Sequence, residues 1–96
     1  MPGRRRCRRV GFQPPCTSFG PATSGSTVPE ETILSVEEFE AVRLKDLEGL
    51  DQSECAAKMD ISQPTFHRLV VSARKKVADA LTHGKTLKIV GGNYRF

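Results

Sequence analysis

The stretch from Asp51 to Val77 constrains this chain most, because it reads as two short amphipathic helices separated by only about four residues. Asp51 and Glu54 have the spacing of a capping box, in which the Asp51 side chain accepts a backbone N–H and Glu54 reaches back to the cap. They predict a first helix over 52–59 and a turn at Met59-Asp60-Ile61-Ser62. A second helix then starts at Ser62 or Gln63 and gathers Phe66, Leu69, Val70, Ala73, Val77, Ala80 and Leu81 on one apolar stripe. Its opposite face carries Thr65, Arg68, Ser72 and Lys75, which suit phosphates and base edges. The outline is that of a helix-turn-helix whose second helix, 62–82, reads DNA in the major groove.

Two residues bear on the geometry of that turn. Asp60 stands where a sharp bend often uses glycine, at a cost of roughly 1 kcal/mol or a little more in the left-handed region. Pro64 falls in the first turn of the second helix, where its missing N–H had no intrahelical partner.

Charge supports the same reading. The net charge of +4 over 96 residues conceals three blocks. Residues 1–29 hold Arg4, Arg5, Arg6, Arg8 and Arg9 and no acid, for +5. Residues 30–60 hold ten acids against Arg43, Lys45 and Lys58, for −7, and residues 61–96 hold seven Lys or Arg against Asp79, for +6. A polyanion would be met by the two basic ends, with affinity that falls steeply in salt.

The expected fold is mainly α, with one modest core allowed by 38% apolar content. Residues 1–34, rich in Pro and Gly, read as a basic arm and loop, with a short strand around Val10 and Phe12. Residues 35–83 form the three-helix helix-turn-helix domain. Ser35 and Glu38 make a second capping box that opens helix 1, which runs to about Glu48, ends at Gly49 and turns Val36, Phe39, Val42, Leu44 and Leu47 to the motif. Residues 84–96 read as a small C-terminal β-hairpin about Gly91-Gly92-Asn93, expected to pair with the N-terminal stretch or another chain. An exposed strand edge there is one route to a homodimer.

The Arg-rich start is not followed by an apolar run and no stretch approaches about 18 apolar residues, which predicts a cytoplasmic protein without a membrane partner. Cys55 is expected in the core, whereas Cys7 and Cys16 are weak candidates for metal or redox chemistry. No cofactor is expected. No nucleophilic triad or catalytic carboxylate pair is evident, which argues against an enzyme.

The run Glu38-Phe39-Glu40-Ala41-Val42-Arg43-Leu44-Lys45-Asp46-Leu47-Glu48-Gly49-Leu50, followed by Ser62-Gln63-Pro64-Thr65-Phe66-His67-Arg68, resembles the UPF0251 (DUF134) family of small prokaryotic proteins. Cys7-Arg8-Arg9-Val10, Ala73-Arg74-Lys75-Lys76-Val77-Ala78 and Gly91-Gly92-Asn93-Tyr94 extend the resemblance over nearly the whole chain, with departures at Asp60 and in the loop 14–26. The resemblance implies a DNA-binding protein with a helix-turn-helix similar to region 4 of sigma factors, and no catalytic residues. Carried onto this chain, it makes Gln63, Thr65, His67 and Arg68 the groove-facing residues.

Arg68 suits a bidentate contact to guanine, and Gln63 suits adenine or else serves as a solvent-facing cap. Thr65 meets phosphate or a thymine methyl, or is a first-turn residue only, and His67, at the edge of the apolar face, reads first as a packed or surface imidazole and second as a groove contact. Lys75 and Lys76 suit phosphates. The cluster Arg4, Arg5, Arg6, Arg8 and Arg9 reads as an arm for a minor groove or backbone, or as a solvated tail. The expected partner is double-stranded DNA, bound by a transcriptional regulator. The alternative is a protein-interaction module, for example one that contacts RNA polymerase, which would concentrate on Phe39, Glu37 and Glu40 of acidic helix 1.

Overall fold

Three helices form where the sequence supplies their caps. The computed structural model describes residues 7–22 and 28–96. Helix α1 (Val36–Val42) opens on Ser35, whose Oγ accepts the Glu38 N–H at 3.1 Å while the Ser35 N–H donates to Glu38 Oε1 at 2.9 Å. The predicted helix 1 does continue toward Glu48, but its last stretch, Arg43–Leu47, is a π-helical turn. That wider turn breaks the 3.6-residue phase. Leu44 is buried, whereas Leu47, expected on the packing face, is 77% exposed.

Helix α2 (Gln52–Met59) carries the capping box expected from Asp51 and Glu54. It ends on Asp60 in the left-handed region at φ 60°, ψ 45°, the one non-glycine residue with positive φ among the described residues. There the Asp60 N–H donates to the Ala57 carbonyl and the Ile61 N–H to that of Ala56, a Schellman closure that reverses the chain within three residues. Asp60 Oδ2 also accepts from Arg95 Nη2 at 3.1 Å, a contact a glycine would lack. Helix α3 (Gln63–His83) begins at the Ser62 cap, takes Pro64 in its first turn, and stops at Gly84, again left-handed at φ 66°.

The helices enclose one core of Ala41, Leu44, Cys55, Ala56, Met59, Phe66 and Val70. A second, of Val10, Leu34, Val36, Ala73 and Ile89, lies between the helices and the strands. The predicted stripe of α3 is buried or half-buried from Phe66 to Ala80, but Leu81 is 80% exposed and leaves the core. Cys55 is fully buried, and that burial pushes its thiol pKa up.

From Cys7 onward the described segments do not form a loose arm and a separate hairpin. Among the described residues five short strands form: β1 (Arg8–Arg9), β2 (Ser18–Phe19), β3 (Glu31–Leu34), β4 (Thr86–Ile89) and β5 (Tyr94–Arg95). Strand β4 lies between β2, antiparallel with Phe19 opposite Leu87, and β3, parallel with Leu34 opposite Ile89. Strand β5 pairs instead with β1 in parallel, Arg8 opposite Tyr94.

The expected hairpin is therefore corrected: β4 and β5 join different sheets. The reason lies at Gly91 and Gly92, both at positive φ. The Val36 N–H donates to the Gly91 carbonyl and the Asn93 N–H to Glu37 Oε1, so the turn is laid across the start of α1 and carries β5 to β1. A Cβ at Gly92 would collide with the Glu37 carboxylate, which is why the crossing needs glycine. The expectation that these segments pair with the N-terminal stretch holds through β1, β2 and β3.

Candidate nucleic-acid interface

The three carboxylates of α1 decide which cations remain available. Glu37, Glu38 and Glu40 are 7%, 5% and 2% exposed, so each needs internal partners. Glu37 accepts the Asn93 N–H and lies 3.5 Å from Arg8 Nε. Glu38 accepts from Ser72 Oγ and, at 2.8 Å, from Lys76 Nζ. Burial works against the charged form of Glu38, but Lys76, Ser72 and the Ser35 N–H together outweigh it and hold its pKa below the usual value. Glu40 receives a two-pronged Arg43 fork at 2.7 and 2.8 Å and the Gly11 N–H at 2.9 Å. Donating to the Glu40 carboxylate raises the Arg43 pKa, and the Arg43 guanidinium also lies over the Phe12 ring.

These contacts correct three sequence expectations. Ser72 and Lys76, read as part of the DNA-facing side, turn toward α1 to satisfy Glu38. Arg8, read as part of a free arm, is fixed in β1 beside Glu37 with its side chain only 18% exposed. The three residues on which a protein-interaction reading of helix 1 concentrates do not form a free surface, since Glu37 and Glu40 are buried and Phe39 is half-buried. Arg4, Arg5 and Arg6 lie outside the described residues.

What remains on α3 is a coherent outer face. Pro64, His67, Arg68, Val71 and Lys75 are exposed and follow one another at i, i+3, i+4, i+7 and i+11, beginning one residue after exposed Gln63. Arg68 and Lys75 have no acid partner among the described residues; Arg68 Nη2 donates to Thr65 Oγ1 at 3.3 Å, which draws the guanidinium toward the first turn. Thr65 is half-buried, and its hydroxyl also accepts from Ser62 Oγ at 2.9 Å. Gln52 Nε2 donates to the Gln63 carbonyl at 3.5 Å and ties α2 to the start of α3. Arg74 is taken by Asp46 of the π-helical turn through two bonds of 2.6 and 3.0 Å, and this hydrogen-bonded pair lowers the Asp46 pKa and raises that of Arg74.

Two further cations, Lys58 and Arg95, escaped the sequence reading of the interface, which places Arg9 in the arm. Exposed Arg9 and Lys58 share a polar groove of about 530 Å3 with Arg43, Glu40 and Glu48, formed because β1 packs near α2. Arg95 is brought opposite Arg9 by the β1–β5 register. No local signal announces that pairing, because each strand is two residues long. At the start of α2, Asp51 and Glu54 stay exposed and are used in capping, so negative charge faces solvent there.

Cys7 and Cys16 are exposed, on segments leading to different sheets. No group of three or more His, Cys, Asp or Glu able to hold a metal occurs among the described residues. No helix among them is long and apolar enough to cross a membrane.

Asp79 anchors the far end of α3. It accepts from Lys85 Nζ at 3.0 Å and Thr32 Oγ1 at 3.1 Å, and lies 2.8 Å from His83 Nδ1. Lys85 above all, then His83, lowers its pKa to about 2. Carboxylates with lowered folded pKa values stabilise fully above the unfolded value near 4 and lose that contribution as pH falls through the folded one. For Asp79 that window runs from about pH 4 down to about 2, and Glu38 and Asp46, also held below their usual values, begin to lose their contributions below about pH 4. Denaturant midpoints are expected to be level from about pH 7 to 5 and to fall steeply below about pH 4. A midpoint unchanged down to about pH 2.5 contradicts these ion pairs.

The fold and site define a small domain of three helices clasped by short strands, with a cation-bearing helix face set on a tight two-helix turn. The chain belongs to the UPF0251 family: the family model described as "Protein of unknown function DUF134" matches residues 1–96. A UPF0251 protein of Thermoanaerobacter pseudethanolicus is 54% identical over 95 residues, which cover 99% of this chain and 80% of that protein. One of Pelotomaculum thermopropionicum is 52% identical over 95 residues, covering 99% of this chain and 72% of its own length. No solved structure matches the chain.

Proposed function

We propose that this protein binds double-stranded DNA in a sequence-dependent manner and regulates transcription in the cytoplasm. In this reading α2 and α3 act as a helix-turn-helix similar to region 4 of sigma factors, with the first half of α3 in the major groove. The observation that carries it is the division of charge. The buried acids of α1 are consumed by internal partners, while Arg68 and Lys75 stand unpaired by acids on one exposed face that also bears Gln63 and His67.

Arg68 reads base edges, with Gln63 and His67 beside it; Lys75, Arg9 and Lys58 meet phosphates. Thr65 orients the Arg68 fork. The protein-interaction alternative is less well supported, because Glu37 and Glu40, on which it would concentrate, are buried.

Titration of a generic duplex at two salt concentrations tests the reading. Three such phosphate contacts predict a log–log slope of about −3. No binding even at low salt would overturn it.

A further inference from the structure

Two residues that the amphipathic pattern assigns to buried faces, Leu47 and Leu81, are among the most exposed apolar side chains, at 77% and 80%. They are not isolated. Leu47, Phe12 (46%) and Phe19 (50%) border an apolar groove of about 430 Å3, and Leu81 and Phe19 border another of about 380 Å3. The two grooves share Phe19, Val77 and Leu87, so they form one continuous apolar surface along the second half of α3.

We propose that this surface is a self-association interface occupied by a second copy of the chain. Area is the first argument. At roughly 200 Å2 for each fully exposed large side chain, the exposed fractions leave about 500 Å2 of apolar patch per protomer. That matches the largest patch of a typical monomer, roughly 300–600 Å2 and often functional, and two such patches give about 1,000 Å2, the threshold of a biological interface and the size of a weak, reversible one. Charge is the second. The ionic groups flanking the patch, Asp46 with Arg74 and Asp79 with Lys85, are neutralised within one protomer, so two copies meet without like-charge repulsion.

The third argument is position, and it alone rests on the DNA reading. Leu81 lies thirteen residues beyond Arg68, about 20 Å along the helix. A pair meeting at Leu81 keeps both Arg68 faces free and within about 50 Å of each other, a span that includes the roughly 34 Å between successive half-sites.

The test is the oligomeric state of the whole chain and of Leu81→Asp and Leu47→Asp, by sedimentation equilibrium across the micromolar range. Both residues are exposed, so both variants should keep the wild-type circular dichroism spectrum. A wild-type dimer and monomeric variants are expected. A wild-type protein that stays monomeric throughout, or a dimer that both variants retain, would overturn the proposal. A dimer lost in the variants, in a protein that binds no DNA, would sink the nucleic-acid reading and leave the interface standing.

Discussion

Glu38→Ala is expected to be among the most destabilising single changes outside the apolar core, at about 2–3 kcal/mol. The Glu38 carboxylate makes two kinds of contact at once: it completes the α1 capping box and it accepts from Ser72 and Lys76 of α3. The cap accounts for about 1 kcal/mol, and stranding the half-buried Ser72 hydroxyl and the Lys76 ammonium supplies the rest. Lys76 is 37% exposed and recovers part of its hydration, which keeps the total below that of a fully buried pair. For a domain of this size the thermal midpoint should fall by roughly 8–24 °C. Glu38→Gln retains a residue suited to the third helical position but not the charge opposite Lys76, so an intermediate loss is expected. A melt of Glu38→Ala within a degree or two of wild type would refute the clamp.

The second large effect concerns recognition. Arg68→Ala should remove about 1–3 kcal/mol of discrimination at one base position while leaving non-specific binding largely intact. Lys75→Ala should instead weaken all sequences alike and lower the salt slope by about 1. Both side chains are exposed, so the fold should change by no more than about 0.5 kcal/mol and the comparison is not confounded by unfolding. Binding measured on a preferred duplex and on single-base variants separates them. Equal losses on every duplex from both substitutions would remove Arg68 from base readout.

The helix pair was legible in the sequence because its signals are local. Asp51 with Glu54, Ser62 with Pro64, and Gly84 act within one turn, and each cap forms where its spacing predicts. Asp60 takes the left-handed position that would favour glycine, held by the Schellman closure and by Arg95, which no local rule links to it.

The misreadings have a common source in long-range pairing and burial. A 3.6-residue period cannot register the π-helical turn, so Leu47 was placed inside. Strands of two residues whose partners lie at the other end of the chain, Arg8 with Tyr94, leave no alternation to read, and a hairpin was expected instead. Glu37, Glu38 and Glu40 have the composition of a solvated face, since carboxylates are seldom buried. Their burial then withdrew Arg8, Ser72 and Lys76 from the expected interface. Arg68, His67 and Gln63 remained outward because the apolar stripe beneath them, Phe66, Val70 and Ala73, fixes the rotation of α3.

The most direct measurement is selection of the purified chain against random duplex DNA, with the enriched pool sequenced and titrated. The account predicts a defined motif whose strongest position is lost with Arg68→Ala. Enrichment of no motif, with equal affinity for every duplex, would contradict it.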